Sequence, residues 1–446
     1  MKLLLPSPLK PLFFPLISLI GLHAFAQNEE IVKKGVSFGP LPVVAFDQDK
    51  GFQYGALLNL YDFGDGSNYP HPKQEWYVEA SAYTKGTQQY FLTYDAKHLI
   101  PGIRMSLATT IVRDKAMDFY GYNGYQSFYD INELTPFYRL ERNAFSAKAD
   151  FVGNLWNHKL FWQAGYYLSR YKYAPVDLEK VNKGKEEDQK FWGETLYEKY
   201  IKWGIIPQDE KDGGTTSALR IGLKYDTRNF EASPSSGIWA EANVTLAPSF
   251  LGTTHGYTRY MLTFRHYLPL VPERLTFAYR LNYQGTIGNY LPYYILPVFS
   301  VIGKEFDKDG IGGYRTVRGI MRDRIQGVDV TFLNAEFRWK FARFHVANQN
   351  VYLGLNAFLD GGMVTKNYDN SFKQFATGMI DDPYTPSRIE YDTYVNTNKS
   401  DTFHAAAGAG FRIGINQNFI IAIDYAKPFD KQDGKGSLYI NTGFLF

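Results

Sequence analysis

Apolar and polar residues alternate one by one through long stretches of this chain, a period that only an extended strand sorts onto two faces. Across 274–283, Leu275, Phe277, Tyr279, Leu281 and Tyr283 fall on one side, and Arg274, Thr276, Ala278, Arg280 and Asn282 on the other. Across 331–341, Leu333, Ala335, Phe337, Trp339 and Phe341 oppose Asn334, Glu336, Arg338 and Lys340. Segments 219–226, 238–246, 260–268, 351–360 and 419–425 repeat the pattern. A soluble sandwich alternates too, with one packed face and one wet face. Charge density separates the two cases. Arg220, Lys224, Glu241, Arg265, Arg280, Glu336, Arg338 and Asp360 all take the polar side of their strands. A hydrated lumen lets such charges pair and stay solvated, so the pattern predicts an all-β fold, a transmembrane antiparallel β-barrel.

The ends agree with export. Lys2 and Lys10 flank the start of an apolar core over 12–22, broken by Pro15, and Ala24-Phe25-Ala26 forms a cleavage site. Residues 1–26 read as a signal peptide that leaves Gln27 as the new N-terminus. A retained anchor is the alternative, but the core is too short to span a bilayer. Residues 27–35 form a short periplasmic segment, and 36–446 the barrel. No later apolar run approaches the ~18 residues of a membrane helix. Aromatic residues make up 17% of the chain, yet mean hydropathy is only −0.32, as expected for a wall between lipid and water with aromatic girdles. Cysteine is absent, which excludes thiolate catalysis, cysteine metal sites and disulfides. The net charge of +3 gives no reason to propose nucleic acid as a partner.

Sixteen strands are predicted, from 40–47 to 437–446. An even number puts both termini on the periplasmic side. Short links such as 99–102 and 416–417 then fall inside, and the long segments 119–135, 174–215, 286–329 and 364–401 outside. The last strand carries Leu438, Ile440, Thr442, Phe444 and Phe446 on one face, and a terminal aromatic in that setting reads as a barrel-assembly signal. Within 177–213, Phe191, Trp192, Leu196, Tyr197, Tyr200, Ile201 and Trp203 recur near helical spacing. They suit a lid or partner helix, or a loop packed on its own neighbours.

The loop between the eleventh and twelfth predicted strands contains Gly312-Gly313-Tyr314-Arg315-Thr316-Val317-Arg318-Gly319. Ahead of it runs Tyr225-Asp226-Thr227-Arg228-Asn229, then Pro234-Ser235-Ser236-Gly237; after it come Asn334-Ala335-Glu336-Phe337-Arg338 and Phe358-Leu359-Asp360-Gly361-Gly362. Gly408-Ala409-Gly410-Phe411-Arg412 and Asp424-Tyr425-Ala426 follow in order. Across 216–446 this series resembles the BamA/TamA/FhaC superfamily of bacterial surface-antigen barrels, which insert or translocate outer-membrane proteins. The resemblance implies that the loop folds back into the lumen and that wall carboxylates hold its arginine. Glu336 and Asp360 both face inward by alternation, so Arg318, flanked by Val317 and Gly319, is expected to reach one or both. Without the resemblance, Arg318 reads as a solvated loop residue and Glu336 as a partner of Arg338.

The first hairpin, 40–47 with 51–56, matches the superfamily only as a pattern. Pro40 and Pro42 lack backbone donors, so a first strand containing them is expected to pair thinly with the last. That seam would involve Pro40, Pro42, Val44, Ile440, Gly443 and Phe446, and a thin seam suits lateral opening into the membrane. Equally, both prolines can precede the strand. The best-known superfamily members carry periplasmic POTRA domains before the barrel, and 27–35 is too short for one. The expected function is therefore an outer-membrane barrel of a Gram-negative bacterium that inserts, translocates or displays proteins, with outer-membrane lipid, client proteins and a separate periplasmic protein as partners. The alternatives are a solute channel and a non-catalytic docking scaffold. No enzyme, cofactor or metal site is expected: the eight histidines, His404 at a strand start among them, show no triad or metal-ligand spacing.

Overall fold

The computed structural model describes Val32 and residues 34–47, 50–67, 72–231, 233–299, 301–303, 308–346, 349–373, 386–415 and 419–446. The expected leader 1–26, most of 27–35 and the 416–417 turn lie outside them. Among the described residues no helix is long and apolar enough to cross a membrane.

The alternating segments form strands β1 (Val36–Asp47), β2 (Gly51–Asp62), β3 (Gln74–Tyr83), β4 (Gln88–Ile100), β5 (Ile103–Asp118) and β6 (Arg139–Trp156). They continue as β7 (Leu160–Pro175), β8 (Gly213–Asp226), β9 (Gly237–Ala247), β10 (Tyr257–Val271) and β11 (Leu275–Ile287). Two short strands, β12 (Val298–Phe299) and β13 (Lys308–Asp309), pair inside the next connection. The wall resumes with β14 (Asp329–Val346), β15 (Gln349–Lys366), β16 (His404–Ile415), β17 (Phe419–Pro428) and β18 (Ser437–Thr442). Without β12 and β13 the strands close into one sixteen-stranded antiparallel barrel.

The two faces settle the choice between sandwich and barrel. Leu281, Phe337 and Leu359 point outward and are 47%, 49% and 43% exposed, whereas Arg280, Glu336 and Asp360 are at most 2% exposed. The apolar face is on the outside and the charged face within, the inverse of a soluble core and what a membrane wall requires. Both prolines lie inside β1. The β1–β2 ladder runs unbroken through them, Pro40 opposite Leu58 and Pro42 opposite Ala56. Hydrogen bonds to β2 therefore come from the odd-numbered residues, and both missing donors sit on the edge that faces β18.

At the long-loop end, the connections build a buried aromatic cap. Phe119 and Tyr122 follow β5, a short helix α1 (Leu178–Asn182) follows β7, and Tyr197, Tyr200 and Trp203 lie in and just after α2 (Leu196–Lys202). Tyr293 precedes β12, and Tyr391 lies on α3 (Pro386–Tyr394). A capping box starts α2: Thr195 and Glu198 bond each other's backbone N–H groups. The 177–213 segment thus packs on its neighbours. Tyr200 meets Phe119 edge-on at 5.2 Å and donates to or accepts from Ser127 at 2.8 Å. Burial pushes the Tyr197 phenol up to about 12 and raises that of Tyr293 well above its usual value, so these hydroxyls stay protonated as donors. Trp203→Ala should remove about 3–5 kcal/mol from the cap. We expect faster proteolysis within 176–212 while the barrel keeps its heat-modifiable gel mobility.

Candidate functional site

The segment between β11 and β14 is held from several sides of the lumen. Its turn depends on glycine: Gly312 has φ +116°, and a Cβ there would lie 2.0 Å from the Met321 carbonyl oxygen. Thr316 Oγ1 donates to the Gly310 carbonyl at 2.9 Å, and Gly313 N–H to Ile320 O at 2.9 Å, which fixes the following residues. Gly319, at φ +88°, lies so near β16 and β17 that a Cβ would meet Ala426 at 2.9 Å and Ala406 at 3.1 Å.

This turn carries Arg318 into the wall of β14, β15 and β17. Arg318 Nε donates to Asp360 Oδ2 at 2.7 Å and Nη2 to Oδ1 at 3.1 Å, while its backbone N–H reaches Oδ2 at 3.1 Å. Nη2 also lies 2.6 Å from Glu336 Oε1, and Nη1 3.6 Å from Asp424 Oδ2. The guanidinium carbon is 3.5 Å from the centre of the Phe358 ring. Arg318 and Glu336 are fully buried. Glu336 pairs with Arg338 as well, at 2.8 Å, and Asp424 takes two bonds from Arg412, at 2.8 and 2.9 Å. Three guanidiniums thus face three carboxylates, a formal balance that makes complete desolvation tolerable. The two readings of Glu336 left open by the sequence are both satisfied at once. Asp424 belongs to the Asp424-Tyr425-Ala426 motif, but nothing local in the sequence points it at Arg318.

Two further arginines of the same segment find other partners. Arg322 binds Asp114 at 2.8 Å and Asp118 at 3.0 Å, both on β5. Arg324 donates to the carbonyls of Gly124, Ser127 and Gln432, at 3.0, 2.9 and 3.0 Å. Beside it, His404 is fully buried, with Nδ1 2.6 Å from Asp433 and Nε2 2.9 Å from Asp401. Carboxylates only accept, so both ring nitrogens carry protons. Tyr125 stacks on the imidazole at 3.8 Å and donates to Asp433 at 2.8 Å. The sequence reading gave His404 no acid partner; Asp401, three residues earlier, was the available signal. The arrangement knits four connections together.

The closure differs from the expected last strand. Among the described residues β1 and β18 pair only as Phe46 with Ile440 and Asp47 with Tyr439. Val44 pairs with Tyr54 on β2 and is 63% exposed. Phe444 and Phe446 do not continue the lipid-facing row: the ladder ends at Thr442, and Gly443, at φ +84°, turns the tail into the lumen. There the Phe446 ring centre is 5.1 Å from the Arg280 guanidinium carbon and 4.7 Å from that of Arg338, which also donates to Phe446 O at 2.8 Å. The Phe444 ring lies 4.3 Å from Arg338. The physical reason lies in β1. Extended in the register of Phe46 and Ile440, the tail would bring Phe444 against Pro42 and Phe446 against Pro40, two positions with no donor. The buried guanidiniums offer cation–π contacts instead.

Residues 79–446 match the Omp85 superfamily domain. The fold is similar to BamA from Haemophilus ducreyi lacking POTRA domains 1–3, at 16% identity and a TM-score of 0.51 over 92% of this chain and 70% of that one. It is also similar to CdiB from Escherichia coli, at 12% identity and a TM-score of 0.54 over 93% of this chain and 64% of that one. No curated protein matches the sequence. With its loop, strands and closure in this order, the chain belongs to the Omp85 superfamily.

Proposed function

We propose that this chain works in the outer membrane of a Gram-negative bacterium, where it inserts, translocates or displays proteins by opening at the β1–β18 seam. The observation that carries the reading is the contrast between that seam and the rest of the wall. Among the described residues two residue pairs hold it, against an unbroken ladder from Val36 to Asp47 on the other edge of β1. Parting β18 from β1 therefore breaks few hydrogen bonds, while the Arg318 cluster keeps β14, β15 and β17 together. In this reading Arg318 is the lock that fixes the lumen segment, and a separate periplasmic protein delivers clients. Member proteins of the superfamily insert or translocate outer-membrane proteins, which supports the assignment at that level.

Photo-crosslinkers at Val44 and Ile440 in living cells test the seam. Crosslinks to other outer-membrane proteins or to a periplasmic protein are expected. Crosslinks between the two strands alone would replace this reading with a sealed channel or scaffold. Arg318→Ala leaves three buried carboxylates short of a cation and should cost about 3–5 kcal/mol, read as a lower unfolding temperature. Arg318→Lys keeps the charge but not the fork, and should fall between. A Val44→Cys, Thr442→Cys pair probes the tail, because the cysteine-free chain has no competing thiol. Its disulfide should form slowly in the parent and faster once Pro40→Ala and Pro42→Ala restore the donors.

A further inference from the structure

Near the long-loop end the outer faces of β5 and β7 carry four cations close together, where β17 carries a single one, Lys427. Arg113 and Lys115 on β5 and Arg170 and Lys172 on β7 are exposed and share the parity of the lipid-facing Ile111 and Tyr166. The ladder sets them side by side: Arg113 lies opposite Asn143 on β6, and Asn143 opposite Lys172. Two strand spacings separate Arg113 from Lys172, about 10 Å. Lys115 lies two residues closer to the long-loop end, and Arg170 two residues closer to the barrel middle. Directly below, Ile111, Phe145, Tyr166, Leu219 and Ile221 form the exposed apolar belt. The ladder continues this apolar row from Tyr166 through Leu219 and Leu246 to Ile287.

Among the described residues these four cations have no carboxylate partner, unlike Arg318, Arg322, Arg338 and Arg412 in the lumen. The nearest carboxylate on that face is Glu141, half-buried and two residues from Asn143. Asp114 points inward to Arg322, and Asp177, just beyond β7, pairs with Lys180. The site is therefore strongly cationic, and it lies at the upper edge of the apolar belt, where headgroups of a bilayer begin.

We propose that this face binds a membrane lipid carrying more than one phosphate, as the glycolipid of a Gram-negative outer leaflet does. The two arginines would take phosphate oxygens in forked pairs, the two lysines would act as point charges, and acyl chains would lie along Ile111, Phe145 and Tyr166. This rests on the long-loop end being external only for the choice of leaflet; the chemistry of the face stands apart from that and from seam opening.

Native mass spectrometry of the full-length protein in detergent tests it, with diphosphoryl lipid A, fully dephosphorylated lipid A and inorganic phosphate as probes. The parent should hold diphosphoryl lipid A and release the dephosphorylated form. A quadruple Arg113→Gln, Lys115→Gln, Arg170→Gln, Lys172→Gln protein should bind it roughly six-hundredfold more weakly, since each cation near an anionic headgroup changes affinity by roughly fivefold. Heat-modifiable gel mobility reports whether that variant folds; should it not, the pairs Arg113→Gln, Lys115→Gln and Arg170→Gln, Lys172→Gln should each weaken binding roughly twenty-five-fold. Unchanged binding by folded variants, equal binding of the dephosphorylated lipid, or complete displacement by millimolar phosphate would each overturn the proposal. None of these outcomes depends on whether the seam opens.

Discussion

The Arg318 guanidinium, buried between Asp360, Glu336 and Asp424, sets how the rest of the lumen is arranged. A lone charge at that depth would carry a desolvation penalty of several kcal/mol. The wall answers it with carboxylates from three strands, and those carboxylates in turn need Arg338 and Arg412. Because the anions come from separate strands, the cluster fixes the inter-strand register as well as the loop. The glycines on either side of it follow from the same demand: Gly319 approaches the wall too closely for any side chain, and Gly312 makes the turn that aims the arginine.

The seam shows a different balance. Elsewhere in the barrel a strand can count on two hydrogen-bonded neighbours, which is why closure removes the edges of a sheet. Here Pro40 and Pro42 withhold donors from one edge, and β18 ends before it reaches them. The tail then exchanges a poor ladder for aromatic contacts with Arg338, already paired with Glu336, and with Arg280, which bonds no carboxylate among the described residues. That residue bonds only the Asn334 side chain and the Thr316 carbonyl among its close polar contacts. A sheet edge and a set of buried cations thus meet their needs through the same four residues.

Most of the wall was legible in the sequence. A period of two leaves little freedom once one face must meet lipid, so strand existence, inward residues and the pairing of Glu336 and Asp360 with one loop followed from alternation together with the superfamily resemblance. What escaped came from residues whose partners are far away in sequence. Phe444 and Phe446 have the parity of a lipid-facing strand, and only Arg280, Arg338 and the prolines of β1 redirect them. The partnership of His404 with Asp433 crosses two strands and a turn. The cap aromatics over 191–203 showed helical spacing, yet their burial depends on Phe119, Tyr122 and Tyr391 from other connections. Local pattern fixes a face; it does not name the neighbour on that face.

The Arg322 contacts also constrain the order of events. Asp114 and Arg322 are 208 residues apart in the chain, and their ion pair lies inside a ring whose two ends meet at β1 and β18. Joining residues so far apart costs loop-closure entropy that grows with the length closed, whereas each hairpin ladder joins neighbours in the chain. Contacts of this range belong to the slow, non-local part of folding, so the clasp on Arg322 depends on a barrel that brings β5 to the lumen segment.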